Sequence, residues 1–531
     1  MTKEKNQERK ISERKAERKP LSFSTTMRNP ERIAGFLNCV LPFEGQFLTN
    51  DIINEIIIKV ISEKLYHTMY EFRVPKYKDI YVNPDLSFTR KQVEDIIKNS
   101  PQIHKEAGFD KGWSSRFDTW YEFPQELGFI RYEIGKPIII SQTGHMLIDA
   151  FNEAQPNNEK IQAVFLNALI KYQTDNPFKK NLNSNCPLML TLKTIQELKK
   201  VDKNSAGIHR QELSLIICWP DYNYKQLTKK IIELRKKYGY NISNEIIYAE
   251  CMNLLEAGVD KEKQFKMSKI ISEAVDEFIR KMRITGIFSL RGNGRFLDIN
   301  NFEKQIISYI INNYPTHQKF SDKELYFNHI SNIDPKIIEN VKSIEIDKIE
   351  VKEQALVKWA NYFSKKDIEK ELMLLSKSGK SSNEILKVID TPTRLEFLIS
   401  ISLKQHFCDA KIIPNYKIDD EGLPTSTATG GKADIECFDK DCTPIVEVTL
   451  MTSKAQSINE IPGITRHLQE RQMKYKDSKV FSLFIAPHIH SETMYMIEFS
   501  KFRSNIDIIP YTIIEYIKHL TIKKSLLSFL K

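Results

Sequence analysis

Two acids stand in short apolar runs separated by a polar turn. In GGKADIECFDKDCTPIVEVTL, residues 430–450, Asp434 opens the first run and Glu447 interrupts the second. Alternation with a period of two puts Asp434, Glu436 and Phe438 on one face of a strand and Ala433, Ile435 and Cys437 on the other. In the second run Val446 and Val448 share a face, and Glu447 shares the opposite one with Thr449. Antiparallel pairing across the turn at 439–442 brings Asp434 and Glu447 side by side. Two adjacent carboxylates repel, so one pKa must rise. A hard divalent cation removes the conflict, and oxygen ligands in a partly open site suit Mg2+. Such a cation serves phosphodiester cleavage by activating water and stabilising the leaving oxygen. Two surface acids on edge strands fit the same spacing, so geometry alone leaves both readings open.

Three further residues shift that balance. Glu396 lies in TRLEFL, on a helix before the strands, and Glu460 and His467 lie in NEIPGITRHLQER. Singly they fit an exposed helix acid or an ordinary surface or core histidine. Four acids and a histidine around one turn fit a hydrolytic metal site better. Cys437 and Cys442 flank the same turn, but no second Cys/His pair follows, which argues against structural zinc.

These residues need elements to hold them. From about 351 a helical stretch leads to a helix opened by Asp390, Thr391 and Pro392. AKIIPNYKI, ADIECF, PIVEVTLM and KVFSLFIAP then read as strands, with ITRHLQERQMKYK and ETMYMIEFSKF as helices between and after them. That order indicates an α/β domain with a mixed central sheet.

The earlier part of the chain is mainly α. Residues 1–20 are almost all charged and read as a flexible tail. ELGFIRYEIGKPIIISQTGHMLIDAF, residues 126–151, reads as strand, turn, strand and helix, with Thr143 as cap. Helical anchors Trp113, Phe117 and Trp120 precede it, so the unit suggests a winged helix whose helix before the wing enters the major groove. Ser115 and Arg116 then become candidates for phosphate and base contact. A second helical unit spans about 187–255, and residues 272–310 repeat the helix, strand, turn, strand, helix order. There Arg291, Asn293 and Arg295 surround a Gly-Asn-Gly turn, a suitable minor-groove or phosphate probe. Residues 311–350 are polar and read as a connector.

Composition agrees with a polyanionic partner: 79 Lys and Arg against 69 Asp and Glu leave a net charge of +10. No apolar run reaches membrane-spanning length, and the charged N-terminus does not read as a signal peptide. Seven scattered cysteines fit reduced thiols, and the expected location is cytoplasmic.

The chain resembles the AlwI-type family of type IIS restriction endonucleases, which includes natural nicking enzymes. The resemblance lies in MRNPERIAGFLNCVLPFEGQF, LGFIRYEIGKPIIISQTGHML, TGIFSLRGNGRFLDIN and, most specifically, TRLEFL, ADIE, VEVTLMTSKAQ and NEIPGITRHL. It implies winged-helix recognition subdomains followed by a nuclease domain of the PD-(D/E)xK type. It also implies Asp434 and Glu447 as the metal-binding pair, with Glu396 as a further ligand and Glu460 and His467 completing the catalytic set. Arg28 and Arg32, in the first stretch, join the candidates for DNA contact. In the wider superfamily a lysine stands two residues past the Glu447 position. Here Thr449 occupies it, in agreement with the family's own E-V-T pattern, and His467 or Lys454 are candidates for the lysine's task. The expected organisation is a tail (1–20), recognition subdomains (21–180 and 181–315), a linker (316–350) and a cleavage domain (351–531). Expected partners are double-stranded DNA, a second copy or small subunit for cutting the second strand, and a cognate DNA methyltransferase.

Overall fold

The computed structural model describes residues 17–23, 27, 30–83, 85–153, 157–179, 181–257, 265–339, 349–428 and 431–530. Most of the charged tail lies outside them, but residues 17–20 are docked. Glu17 bridges to Asn181, Leu21 N–H donates to Ile217 O over 2.8 Å, and buried Leu21 and Phe23 anchor the segment.

The N-terminal part is helical. The helix Trp113–Glu126 buries Phe117, Trp120, Tyr121 and Phe123. It leads into an antiparallel hairpin of β1 (Ile130–Arg131) and β2 (Ile139–Ile140). The next helix, Gln142–Asn152, starts earlier than its sequence suggests. Because β2 ends at Ile140, Ser141 takes the cap in place of Thr143, its Oγ accepting from Gly144 N–H at 3.1 Å.

The second helix-hairpin-helix unit is joined by an outside strand, β3 (Ile208–His209). The helix Ala274–Ile284 precedes β4 (Phe288–Arg291) and β5 (Phe296–Ile299), and the sheet order is β3-β5-β4. Gly292, Asn293 and Gly294 turn the hairpin with φ of 59°, 58° and 86°, a left-handed run that glycine and asparagine tolerate best. The stretch read as a polar connector carries the helices Lys323–Ser331 and Pro335–Glu339. Tyr326, Phe327 and Ile330 bury one face of the first, a helical spacing hidden among polar neighbours.

The C-terminal part is built on a mixed five-stranded sheet. Its members are β6 (Lys411–Pro414), β9 (Ile435–Phe438), β10 (Ile445–Val448), β11 (Ser482–Ala486) and β12 (Ile508–Thr512), in the order β12-β11-β10-β9-β6. A separate pair, β7 (Tyr416–Ile418) and β8 (Pro424–Ala428), lies between β6 and β9 in sequence. β9 runs antiparallel to β6 and β10, whereas β10, β11 and β12 are parallel. The parallel strands are joined through the helices Ile461–Lys474 and Ser491–Ser504.

Alternation gives the sheet two buried faces. Ile445 and Phe484 pack on one with Ile461, Ile464, Leu468 and Ile497 from those crossover helices. Ile435, Val446, Leu483 and Ile485 belong to the opposite core with the helices Thr391–His406 and Ile513–Ile522. Ser402 Oγ and Tyr516 OH, 2.8 Å apart, join these two helices.

Candidate active site

The pairing of β9 with β10 matches Ile435 with Val446, so the next positions outward are Asp434 and Glu447. There the backbone ladder gives way to side chains. Asp434 N–H donates to Glu447 Oε2 at 3.3 Å, and Val448 N–H donates to Asp434 Oδ2 at 2.7 Å. Each carboxylate thus accepts from the other strand's backbone, which holds two like charges side by side.

The crossover helix Ile461–Lys474 covers the face that carries Glu447. Ile464, His467, Leu468 and Arg471 are its buried stripe, spaced three and four residues apart. This brings His467 Nδ1 to 2.9 Å from Glu447 Oε1, while buried His467 Nε2 has no hydrogen-bond partner among the described residues. Glu460 sits at the start of the same helix, buried. Glu396 arrives from the helix Thr391–His406 and accepts from Ala428 N–H at 3.0 Å.

Burial is the first cause of every shift in this group. It pushes Glu396 well above the usual carboxylate range, with Asp434's charge adding to it. Asp434 is raised by burial and then by Glu447, and Glu447 by burial and then by Glu460. Glu460 is pushed up to about 8 by burial, an effect the Thr449 side chain partly offsets. His467 is lowered by burial and then by Arg466, which favours its neutral form. Thr449, two residues past Glu447, therefore acts on Glu460 and supplies no positive charge.

The donor set is hard oxygen plus one imidazole, and three buried acids with half-buried Asp434, which destabilise one another's ionised forms, are chemically suited to a divalent cation. Among the described residues, however, no group of three or more His, Cys, Asp or Glu is arranged to hold a metal ion. Asp434 and Glu447 are joined through each other's strand N–H groups, and Mg2+ often relies on one or two carboxylates with water and substrate phosphate.

The sequence-derived DNA contacts fall elsewhere. Arg28 lies outside the described residues. Arg32 donates to Leu65 O at 2.6 Å and lies 5.5 Å from the Phe36 ring. Ser115 is fully buried; its hydroxyl donates to Asp110 O and accepts from Glu106 N–H, at 2.8 and 2.9 Å. Arg116 reaches Tyr66 OH at 3.0 Å and His104 Nε2 at 2.8 Å. Arg291 is held by Asp298, by Asp420 at 2.6 Å and by Glu421 at 2.8 Å. Asn293 and Arg295 remain exposed at the turn, where Arg295 Nε donates to Gly292 O at 3.1 Å. Two of the acids that take Arg291 come from the turn Asp419–Gly422, whose DDEG pattern was the available signal for an acidic clasp, and the third, Asp298, from β5.

The sequence profile of the AlwI restriction endonuclease family matches residues 125–358 and 336–519, together well over half of the chain. The chain belongs to the AlwI restriction endonuclease family. It is accordingly a type II site-specific endonuclease.

Among solved structures, the chain is similar to the small subunit of the heterodimeric restriction endonuclease R.BspD6I, at 25% identity over 29% of this chain and 76% of that one, with a TM-score of 0.25. It is similar to restriction endonuclease FokI at 12% identity over 97% of both chains, with a TM-score of 0.24. FokI bound to DNA gives 12% identity over 96% of this chain and 98% of that one, with a TM-score of 0.25. TM-scores this low do not establish a shared fold. No curated protein matches the chain.

Proposed function

We propose that this endonuclease reads a short asymmetric site in double-stranded DNA with its N-terminal part and hydrolyses a phosphodiester at a fixed offset with its C-terminal part, in the type IIS manner. The observation that carries the reading is the contact of Asp434, Glu447 and His467, with Glu396 and Glu460 buried around them. In this reading the two helix-hairpin-helix units are winged-helix recognition subdomains at 21–180 and 181–315, and residues 316–350 connect them to the cleavage domain at 351–531. Asn293 and Arg295 are the turn residues best exposed to meet DNA.

Asp434 and Glu447 would hold Mg2+, with Glu396 as the third carboxylate available. The cation, when bound, supplies Lewis-acid stabilisation of charge developing on the phosphate. The chain's own groups do the rest. Asp434 and Glu447 fix each other's orientation through the opposite strand's N–H groups. Glu447 fixes the His467 ring through Nδ1, which leaves Nε2 as the atom that takes a proton from attacking water. Lys454 is a weaker candidate for the lysine's task, because it is 64% exposed and bound to Glu492 at 3.2 Å. Burial, only partly offset by Thr449, keeps Glu460 protonated near neutral pH, ready to donate a hydrogen bond.

The described residues form one such site, for one strand. Double-strand cleavage then requires a second copy or a small partner subunit, and a chain acting alone nicks. A cognate DNA methyltransferase would protect the host's own sites. No helix among the described residues is long and apolar enough to cross a membrane. The test is incubation of supercoiled plasmid with the protein and Mg2+, beside Asp434→Ala. Discrete nicked or linear product from the wild type alone supports the reading. Equal product from both proteins, or cleavage without divalent cation, removes it.

A further inference from the structure

Arg471 has no part in the proposed chemistry, yet it is buried and fully engaged. Its Nε donates to Thr443 O at 2.8 Å, in the lead-in to β10. One Nη donates to Cys437 O of β9 at 3.1 Å, and the other to Glu436 Oε2 at 2.9 Å. The guanidinium also lies 4.6 Å from the Phe438 ring and 5.1 Å from the Tyr475 ring, which meet edge to face. Glu436 Oε1 accepts from Asn415 Nδ2 at 3.4 Å, and the same amide donates to Ala433 O at 2.7 Å. Asn415 N–H donates to Asp434 O at 2.9 Å. One connected network therefore runs from the crossover helix to the peptide of Asp434.

Arg471 stands one helical turn after His467 on the same buried stripe. Its planar fork bonds to both strands of the hairpin at once, a geometry that lysine's single ammonium cannot reproduce. A helix tied to β9 and β10 at that point cannot slide or roll without breaking three hydrogen bonds. His467 meets Glu447 through one hydrogen bond only, so its placement depends on how the helix is held.

Resting on the proposed reading of the site, we infer that Arg471 is a positioning residue: it fixes the helix that carries His467 against the strands that carry Asp434 and Glu447. The inference differs from a general role in folding by one property, which is that Arg471 acts through His467.

The test is a double-mutant cycle of Arg471→Met and His467→Ala, read as the single-turnover rate on a plasmid the wild type cleaves. Affinity for a duplex spanning the mapped cut position is measured alongside. Outer contacts of this kind typically account for about 10- to 100-fold in activity. Arg471→Met is expected to slow cleavage within that range with DNA affinity little changed, and to add less than about 3-fold once His467 is gone. If Arg471→Met does not fold, Arg471→Lys is carried through the same cycle, with the same sub-multiplicative result expected. Losses that multiply overturn the inference, as does a wild-type rate for the Arg471 variant, and in both cases the reading of the site stands. If His467→Ala itself cleaves at the wild-type rate, that reading of the site falls and takes the inference with it.

Discussion

Asp434 and Glu447 lie at a position where stability and activity pull in opposite directions. Burial raises both carboxyls, and neither has a Lys or Arg among its principal electrostatic neighbours. A carboxyl whose pKa is raised by folding costs stability as pH rises above its unfolded value, so at neutral and alkaline pH the pair weakens the fold unless a cation joins it. Asp434→Asn keeps an oxygen to accept from Val448 N–H and removes one charge. Melting in EDTA should therefore shift upward by about 2–4 °C, a gain on the order of 1 kcal/mol in a domain of this size. The cleavage rate should fall by at least about 1,000-fold, equivalent to the several kcal/mol that a cation supplies. A lowered melting point would mean that attraction to neighbouring groups outweighs the repulsion from Glu447. The alternation in ADIEC and PIVEV was enough to place these two acids side by side, because a period of two plus a short turn determines the pairing. His467 was nameable but its contact was not, since only the crossover helix's packing aims it at Glu447. Arg471 carried no local signal, because its partners lie 28 to 35 residues away.

Elements were legible where a hydrophobic period was unbroken. β6, β9, β10 and β11 follow their apolar runs, whereas β12 was missed because Pro510 interrupts it. Its place at the sheet edge explains why a proline is tolerated there. β8, PTSTA, has no apolar run and is paired with β7 alone. The first hairpin shows how tightly an element can be fitted to its neighbour. A Cβ on Gly144 would come within 2.2 Å of Phe129 O and 2.8 Å of the Ile140 side chain, so the helix Gln142–Asn152 starts directly against the hairpin. A Cβ on Gly135, at the hairpin tip, would meet nothing within 4 Å, although φ there is +76°. Gly144→Ala should thus cost about 3 kcal/mol or more through overpacking against backbone, and Gly135→Ala about 1 kcal/mol through its left-handed backbone. Urea unfolding of both variants checks the order, and equal midpoints would refute this account of the hairpin.

Across the whole molecule, charged groups link the middle of the chain to its C-terminal part. Arg283 bonds to Asp419 at 2.8 Å and to Pro424 O at 2.8 Å, and Arg210 to Glu384 at 3.0 Å. Arg291 joins the same seam, although it reads in sequence as a DNA probe beside a Gly-Asn-Gly turn. Two of its three partners, Asp420 and Glu421, lie 129 and 130 residues away, so the DDEG turn could be read as acidic but not as the partner of this arginine. An arginine already paired with three acids has little charge to offer a phosphate. The two roles predict different outcomes for Arg291→Met. As a seam residue its loss leaves Asp298 and Asp420 short of a partner. Breaking a buried ionic cluster typically destabilises by about 3–5 kcal/mol, and the lower end applies because Lys199 still holds Asp298 at 2.7 Å. As a phosphate contact its loss would instead reduce the slope of log affinity against log salt by about 1. The expectation is a clearly lowered unfolding midpoint with the salt slope for duplex binding unchanged. An unchanged midpoint with a shallower slope would return Arg291 to the DNA-facing surface and require the seam to open when the enzyme binds.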